Sequence, residues 1–284
     1  MIAITGATGQ LGHLVIDALL KRVPAGQIVA AVRNPAKAAD LAALGVQVRE
    51  ADYTKPTTLA AAFKGVDKVL LISSSAVGQR VAQHRAVIDA AKEAGVGLLA
   101  YTSILHADTS TLKMAAEHVA TEALLRASGV PHVLLRHGWY AENYTGGVGA
   151  ALEHGAVFGS AGDGHLSLAA RADYAAAAAA VLTADGQAGR VYELAGDTGY
   201  TLTELAAEIA RQSGKPVVYN DMPEAEYQAF LVQVGLPEGY ASLLADSDAQ
   251  AAKGGLFDDS HQLSALIGRP TTPLASAVAA ALKV

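Results

Sequence analysis

The chain has 284 residues, 51% of them apolar and 5% aromatic, enough for one large or two unequal α/β domains with aliphatic cores. Its formal charge of −6, with acids and bases interspersed, offers no basic face to a polyphosphate backbone and excludes nucleic acid as the expected partner. The absence of cysteine excludes disulfides, thiolate nucleophiles and sulfur-ligated metals; no apolar run reaches about 18 residues and residues 2–4 already read as a strand, so neither a membrane span nor a signal peptide is expected and the cytoplasm is the default compartment.

From the N-terminus, short apolar runs alternate with stretches of helical period. "IAIT" is followed by "QLGHLVIDALLKR"; then come "IVAAV", "VQVREA" and "KVLLIS", and a helix in "GQRVAQHRAVIDAAKEAG" stops at Gly95, its expected C′ residue. "LLAYTS" and "HVLLR" complete the series. Strands apolar on both faces that alternate with helices demand a parallel sheet covered on two sides. Right-handed crossovers then make a doubly wound, Rossmann-type α/β sheet the simplest topology. Beyond residue 138 the rhythm changes, and glycines and aromatics crowd residues 138–164. A helix is expected from Asp173 as N-cap of "YAAAAAAVLTA", then a strand in "RVYELAG", a capping box from Thr201 to Glu204 and a strand in "PVVYND". Three further helices are broken at 237–239 and by "KGG" at 253–255. The expected organisation is a first domain at 1–138, extended by a returning segment near 166–194, and a smaller helix-rich lobe at 139–165 and 195–284. The apolar face of "EAEYQAFLVQVG" fits either the core of that lobe or a homodimer interface.

Residues 5–12, "TGATGQLG", stand between the first strand and the first helix. In that context Gly6, Ala7, Thr8, Gly9, Gln10, Leu11 and Gly12 read as a dinucleotide-binding turn. Gly6 permits the tight turn, Gly9 leaves the backbone bare where a diphosphate meets it, and Gly12 lets the helix lie close on the sheet. The N–H groups and positive end of the helix then hold the phosphates. The second strand runs into "AAVRNPAK". Where an NAD-specific site carries an acid for the ribose 2′-hydroxyl, this chain has Arg33, a planar fork of donors suited to a phosphate, with Lys37 one helical turn on. NADPH is therefore the expected cofactor, the alternative being an exposed loop arginine. Asp52 is placed to meet adenine or to serve an ordinary turn. Ser73, Ser74 and Ser75, ending the fourth strand, are placed under the cofactor's ribose and diphosphate or form a helix-approach turn.

Taken together, "MIAITGATGQLG", "VRNPAK", "LLISSSAVGQR", "AYTSILHADTS", "LLRHGWYAENY", "YELAGDTGYTLTELA" and "GGLFDDS" resemble the NmrA-like branch of the atypical short-chain dehydrogenase/reductases. Within that branch the likeness is to flavin-independent bacterial NADPH:quinone oxidoreductases, over essentially the whole length. The resemblance implies NADPH in the doubly wound domain and a quinone in a cleft beneath the smaller lobe. In many members a lysine stands about four residues before the acid that corresponds to Glu122 and approaches the nicotinamide ribose. Here that position holds His118, either a cofactor contact with a catalytic role or a solvent-facing helix residue, and Lys113 is offset onto another helix face.

Most catalytic short-chain reductases carry Tyr-x-x-x-Lys, in which lysine lowers the tyrosine pKa for proton delivery. None of the ten tyrosines here has lysine four residues on. Reduction of an isolated ketone leaves a full alkoxide and needs a positioned acid, whereas a quinone leaves a far less basic phenolate-type anion. The missing dyad thus fits direct hydride transfer to a quinone, which asks for positioning and for donors near the developing charge. "HGWYAENY" follows the sixth strand at the carboxyl edge where ligands of such sheets bind. It supplies Asn143 as the expected donor to the acceptor's oxygen, with Trp139, Tyr140 and Tyr144 as walls for a flat ring, the alternative for these aromatics being packing. The histidines form no metal pattern, and "FDDS" at 257–260 reads as a helix cap rather than a Mg²⁺ site. The competing function is a redox-sensing regulator that binds NADP(H) without turnover, and the competing substrate is another conjugated acceptor.

Overall fold

The computed structural model describes residues 1–283. Strands and helices alternate through β1 (Ile2–Thr5), α1 (Gln10–Leu20), β2 (Ile28–Val32), α2 (Ala39–Ala43), β3 (Gln47–Glu50), α3 (Pro56–Ala62), β4 (Lys68–Leu71), α4 (Arg80–Glu93), β5 (Leu98–Ile104), α5 (Ala115–Ser128) and β6 (His132–His137). Every residue of β1, β2 and β5 is buried, as covering on both faces requires. The chain continues through α6 (Glu142–Thr145), α7 (Val148–His154), β7 (Ala156–Gly159), α8 (Arg171–Thr183), β8 (Val191–Leu194), α9 (Leu202–Ser213), β9 (Val218–Asp221), α10 (Glu224–Gln233), α11 (Glu238–Ala251), α12 (Gln262–Ile267) and α13 (Leu274–Ala281). Seven strands form one sheet in the order β3-β2-β1-β4-β5-β6-β8, parallel in every pair from β3 to β6. The order reverses at β1 and β4, the switch point beside which doubly wound sheets bind ligands.

The chain divides into two units, one of Met1–Ala107, Glu117–His137 and Arg171–Tyr192, the other of Asp108–Ala116, Gly138–Ala170 and the residues from Glu193 onward. The returning segment of the first unit is thus slightly shorter than expected. Its helix α8 packs along α1, and Lys68 Nζ caps it by donating to the carbonyls of Leu182 (2.9 Å) and Ala184 (3.0 Å). The helix begins at Arg171, so Asp173 lies buried in its first turn and is not the N-cap. Residues 108–116, expected in the first domain, fall in the second. There the Lys113 N–H donates to Asp246 (2.7 Å) and the Thr111 hydroxyl to Gln250 (2.6 Å).

In the second unit β7 and β9 pair in parallel. The apolar face of α10 is core: Tyr227 and Leu231 pack with Ala241 and Ala245 of α11, and Phe230 lies 4.7 Å from Phe158, centroid to centroid. The Thr201–Glu204 capping box is formed in both directions. The "FDDS" aspartates do not cap α12. The chain enters that helix through His261 in the left-handed region (φ +54°), and Asp258 closes its own turn on the N–H and hydroxyl of Ser260. Among the described residues no helix is long and apolar enough to cross a membrane.

A Cβ on Gly12 would stand 2.5 Å from the Gly6 carbonyl oxygen and 2.7 Å from Ala7 Cα. Gly12→Ala is therefore expected to lower the urea-unfolding free energy by roughly 1–3 kcal/mol, whereas Gly26→Ala, which meets nothing within 4 Å, changes it by less than about 0.5 kcal/mol. Asp248 is buried on α11, where it accepts from the Tyr144 hydroxyl (2.6 Å) and the Ser160 N–H (3.0 Å), and burial pushes its carboxyl up from 3.8 to about 6. The folded state thus holds this proton more tightly than the unfolded chain. Its contribution is complete below the ordinary carboxyl value and is lost as pH rises to about 6, a fall on the order of 2–3 kcal/mol. Chemical denaturation from pH 4 to 7 is expected to show that slope in the wild type and its loss in Asp248→Asn.

Candidate active site

The tight turn after β1 is made by Gly6, whose φ of +60° lies where only glycine rests without strain. Its carbonyl accepts from the Gly9 N–H (2.9 Å). No side chain caps α1 and no acid stands in its first turn, so no protein side chain answers the leading N–H groups or the positive end of the helix. Beside this turn lies a cavity of about 550 Å³, reaching from the Gly6, Thr8 and Gly9 backbone to the ends of β2, β3 and β4. This is the shape and chemistry that a nucleotide diphosphate requires.

Of the residues expected at the cofactor, Gly6, Thr8, Gly9, Arg33, Asp52, Ser73, Ser74 and Ser75 line the cavity. Ala7 and Leu11 do not; both are buried in the core. Gln10 and Gly12 are likewise outside the lining, and their offering to a phosphate is the backbone of the first turn of α1. At the cavity's far end Arg33 and Lys37 are both exposed, with Asn34 between them. The Asn34 side chain accepts from the Ala36 N–H (3.1 Å) and so caps the short 3-10 turn that carries Lys37. Two cations on a fixed turn suit a phosphate and leave a bare ribose hydroxyl without an acceptor. Asp52 is committed to its own turn, accepting from the Thr54 N–H (2.9 Å) and hydroxyl (2.7 Å), which lower its pKa. Tyr53, Thr54 and Gln83 also line the cavity, and sequence reasoning missed them, because no motif marks them.

Beneath the cavity the ends of β1, β4 and β5 are locked by hydroxyls. Thr5 Oγ1 donates to the Leu70 carbonyl and accepts from the Ile72 N–H (3.1 Å each), and Thr102 Oγ1 accepts from the Ser73 N–H (2.8 Å). His118 is 5% exposed, which overturns the reading of it as a solvent-facing residue, and it does not line the cavity. Its Nδ1 lies 2.8 Å from the Tyr101 hydroxyl. Burial, reinforced by Arg80, pulls its pKa to about 3 and keeps the ring neutral. The same burial raises the Tyr101 pKa, the opposite of what a neighbouring lysine does to a catalytic tyrosine. Glu122, also buried, gathers the Ser103 hydroxyl (2.6 Å), Arg136 (2.9 and 2.7 Å) and Arg126 (2.8 Å).

The residues expected at the acceptor all lie in the second unit. Asn143 is exposed on α6 and its side-chain amide has no hydrogen-bond partner among the described residues. Tyr140 is half-buried, and its backbone bridges Ala169. Trp139 is 8% exposed, so little of its ring is available as a wall. The Tyr144 hydroxyl is spent on Asp248. Lys113 Nζ points at Glu224 (3.3 Å) and Asp246 (3.9 Å), an acidic setting that holds it as a structural tie.

The profile of the NmrA-like family matches residues 1–275. The chain is 62% identical over 278 residues to quinone oxidoreductase 2 of Escherichia coli strain K12, covering 98% of this chain and 97% of that protein. Among solved structures, the NADPH-dependent quinone oxidoreductase of Escherichia coli in complex with NADPH superposes with a TM-score of 0.97 at 61% identity, over 99% of this chain and all of that one. The Citrobacter sp. triphenylmethane reductase in complex with NADP(H) gives 0.95 at 41% identity, over 99% of this chain and 100% of the other. With a cavity of this form at the first turn and a family match that spans nearly its whole length, the chain belongs to the NmrA-like family.

Proposed function

We propose that this protein is a cytoplasmic NADPH-dependent quinone reductase that works by direct hydride transfer, without flavin. The observation that carries the reading is the setting of Tyr101: its hydroxyl meets a neutral imidazole, no lysine lowers its pKa, and burial raises it. This tyrosine is thereby not prepared to deliver a proton, which suits an acceptor whose reduced form is weakly basic. The 62% identity to an enzyme that bears the name quinone oxidoreductase supports the same substrate class.

Bound NADPH supplies the hydride. The chain's own residues seat and orient it: the first turn of α1 takes the diphosphate, Arg33 and Lys37 the 2′-phosphate, and Ser73, Ser74 and Ser75 the wall along the ribose. His118 holds the hydroxyl of Tyr101 on β5 and acts as a positioning residue. Asn143 donates to the quinone oxygen that gains charge, and Tyr140 flanks the ring.

Three outcomes are expected. Purified protein stripped of flavin oxidises NADPH in the presence of p-benzoquinone, followed by loss of the reduced-nicotinamide absorbance; NADPH binding without quinone-dependent oxidation would instead favour a redox sensor. Arg33→Ser raises the NADPH dissociation constant about ten- to hundredfold, the loss of a charge-assisted contact, and leaves NADH nearly unchanged, as calorimetry at one salt concentration reads. Asn143→Asp lowers kcat/KM for the quinone about ten- to hundredfold with unaltered NADPH affinity; unchanged turnover removes Asn143 from the mechanism.

A further inference from the structure

The wall formed by Ser73–Ala76 has little regular structure of its own, yet its peptide groups are held from below by side chains. The Ser74 N–H donates to His84 Nε2 (2.9 Å), and the Ser74 carbonyl accepts from Arg80 Nε (2.7 Å). Both side chains belong to the first turns of α4 and are buried, His84 at 0% and Arg80 at 5% exposure. A backbone N–H can only donate, so Nε2 is the acceptor and the neutral ring carries its proton on Nδ1. That proton points to Thr121 Oγ1 (2.9 Å), whose own proton goes to the Glu117 carbonyl (2.8 Å). The Glu117 carboxylate closes the frame, accepting from the Gly78 N–H (3.0 Å) at the loop's far end and facing Arg80 Nη1 (3.4 Å).

An imidazolium would set one N–H against another at Ser74. The site prevents this: burial, then the neighbouring Arg80 charge, pulls the His84 pKa to about 3. The Tyr101 ring packs edge-on against His84 with centroids 5.3 Å apart.

Resting on the cofactor reading above, we propose that His84 is a positioning residue for NADPH: with Arg80 it clamps both polar groups of the Ser74 peptide and so fixes the serine wall against which the cofactor lies. Leucine at 84 keeps the volume and removes the acceptor, whereas glutamine returns an acceptor near the place of Nε2. His84→Leu is expected to raise both the NADPH dissociation constant, read by nicotinamide fluorescence, and KM for NADPH about tenfold. Its kcat at saturating NADPH should stay within about twofold of wild type, since the reacting groups are untouched. His84→Gln is expected to recover most of the loss. Wild-type affinity in His84→Leu overturns the proposal, as does His84→Gln binding no better than a folded His84→Leu. Should His84→Leu show no cooperative melt, Thr121→Val decides. That isosteric change frees Nδ1–H from its acceptor, so a rise in KM for NADPH of about threefold or more supports the clamp and an unchanged KM overturns it. Wild-type protein that fails to bind NADPH overturns the cofactor reading itself, an outcome distinct from equal binding by wild type and variant.

Discussion

The gap between α1 and the turn after β1 is too narrow for one more carbon, and the candidate site depends on that closeness. With Gly12 resting on Gly6 and Ala7, the uncapped first turn of α1 is aimed across the edge of the sheet where strand order reverses. Unsatisfied N–H groups at a helix start cost free energy in isolation, and an anion is the partner that turns the cost into binding. The cavity's other features extend from this point: exposed cations at the end of β2 and a serine wall at the end of β4.

Beneath that edge the protein buries several polar side chains and joins them in relays. His84 and His118 flank Tyr101, Glu122 collects two arginines and a serine, and Thr5 and Thr102 take N–H groups from the loop that follows β4. Such a network is costly if any member is lost, and it admits few alternative geometries. Rigidity here suits a reaction whose main demand on the protein is that donor and acceptor stay at the right separation. Both histidines are held neutral by burial, so across ordinary working pH they keep their hydrogen-bond directions and donate no proton.

Much of this was legible in the chain because its signals are local. The alternation of apolar runs with helical stretches, the glycine spacing, Arg33 in place of an acid, and the Thr201–Glu204 box each act within a few residues. What escaped was long-range or polar. His118, Thr121, Glu122 and Leu125 share one buried face of α5 at helical spacing, as do Arg80, His84, Val87 and Ala91 on α4. A reading that follows only apolar periodicity passes over stripes made partly of histidine, arginine and glutamate, so His118 could be taken for a surface residue. Residues 108–116 belong with the second unit, where Thr111 and Lys113 find partners more than a hundred residues away, which no local pattern reports. Tyr144 shows the converse: the aromatic cluster was visible, but the buried Asp248 that claims its hydroxyl was not.

The central claim is that the nicotinamide gives its hydride straight to a quinone, with no flavin between them, while the protein seats both and supplies a donor to the quinone oxygen. Single-turnover kinetics with NADPH deuterated at the transferred position of nicotinamide C4, on protein free of any flavin absorbance, test it most directly. A slower, quinone-dependent oxidation of the deuterated cofactor, with no flavin band rising or falling, is the expected result. Oxidation that requires added flavin, or cofactor that binds and is never oxidised by quinone, would contradict it.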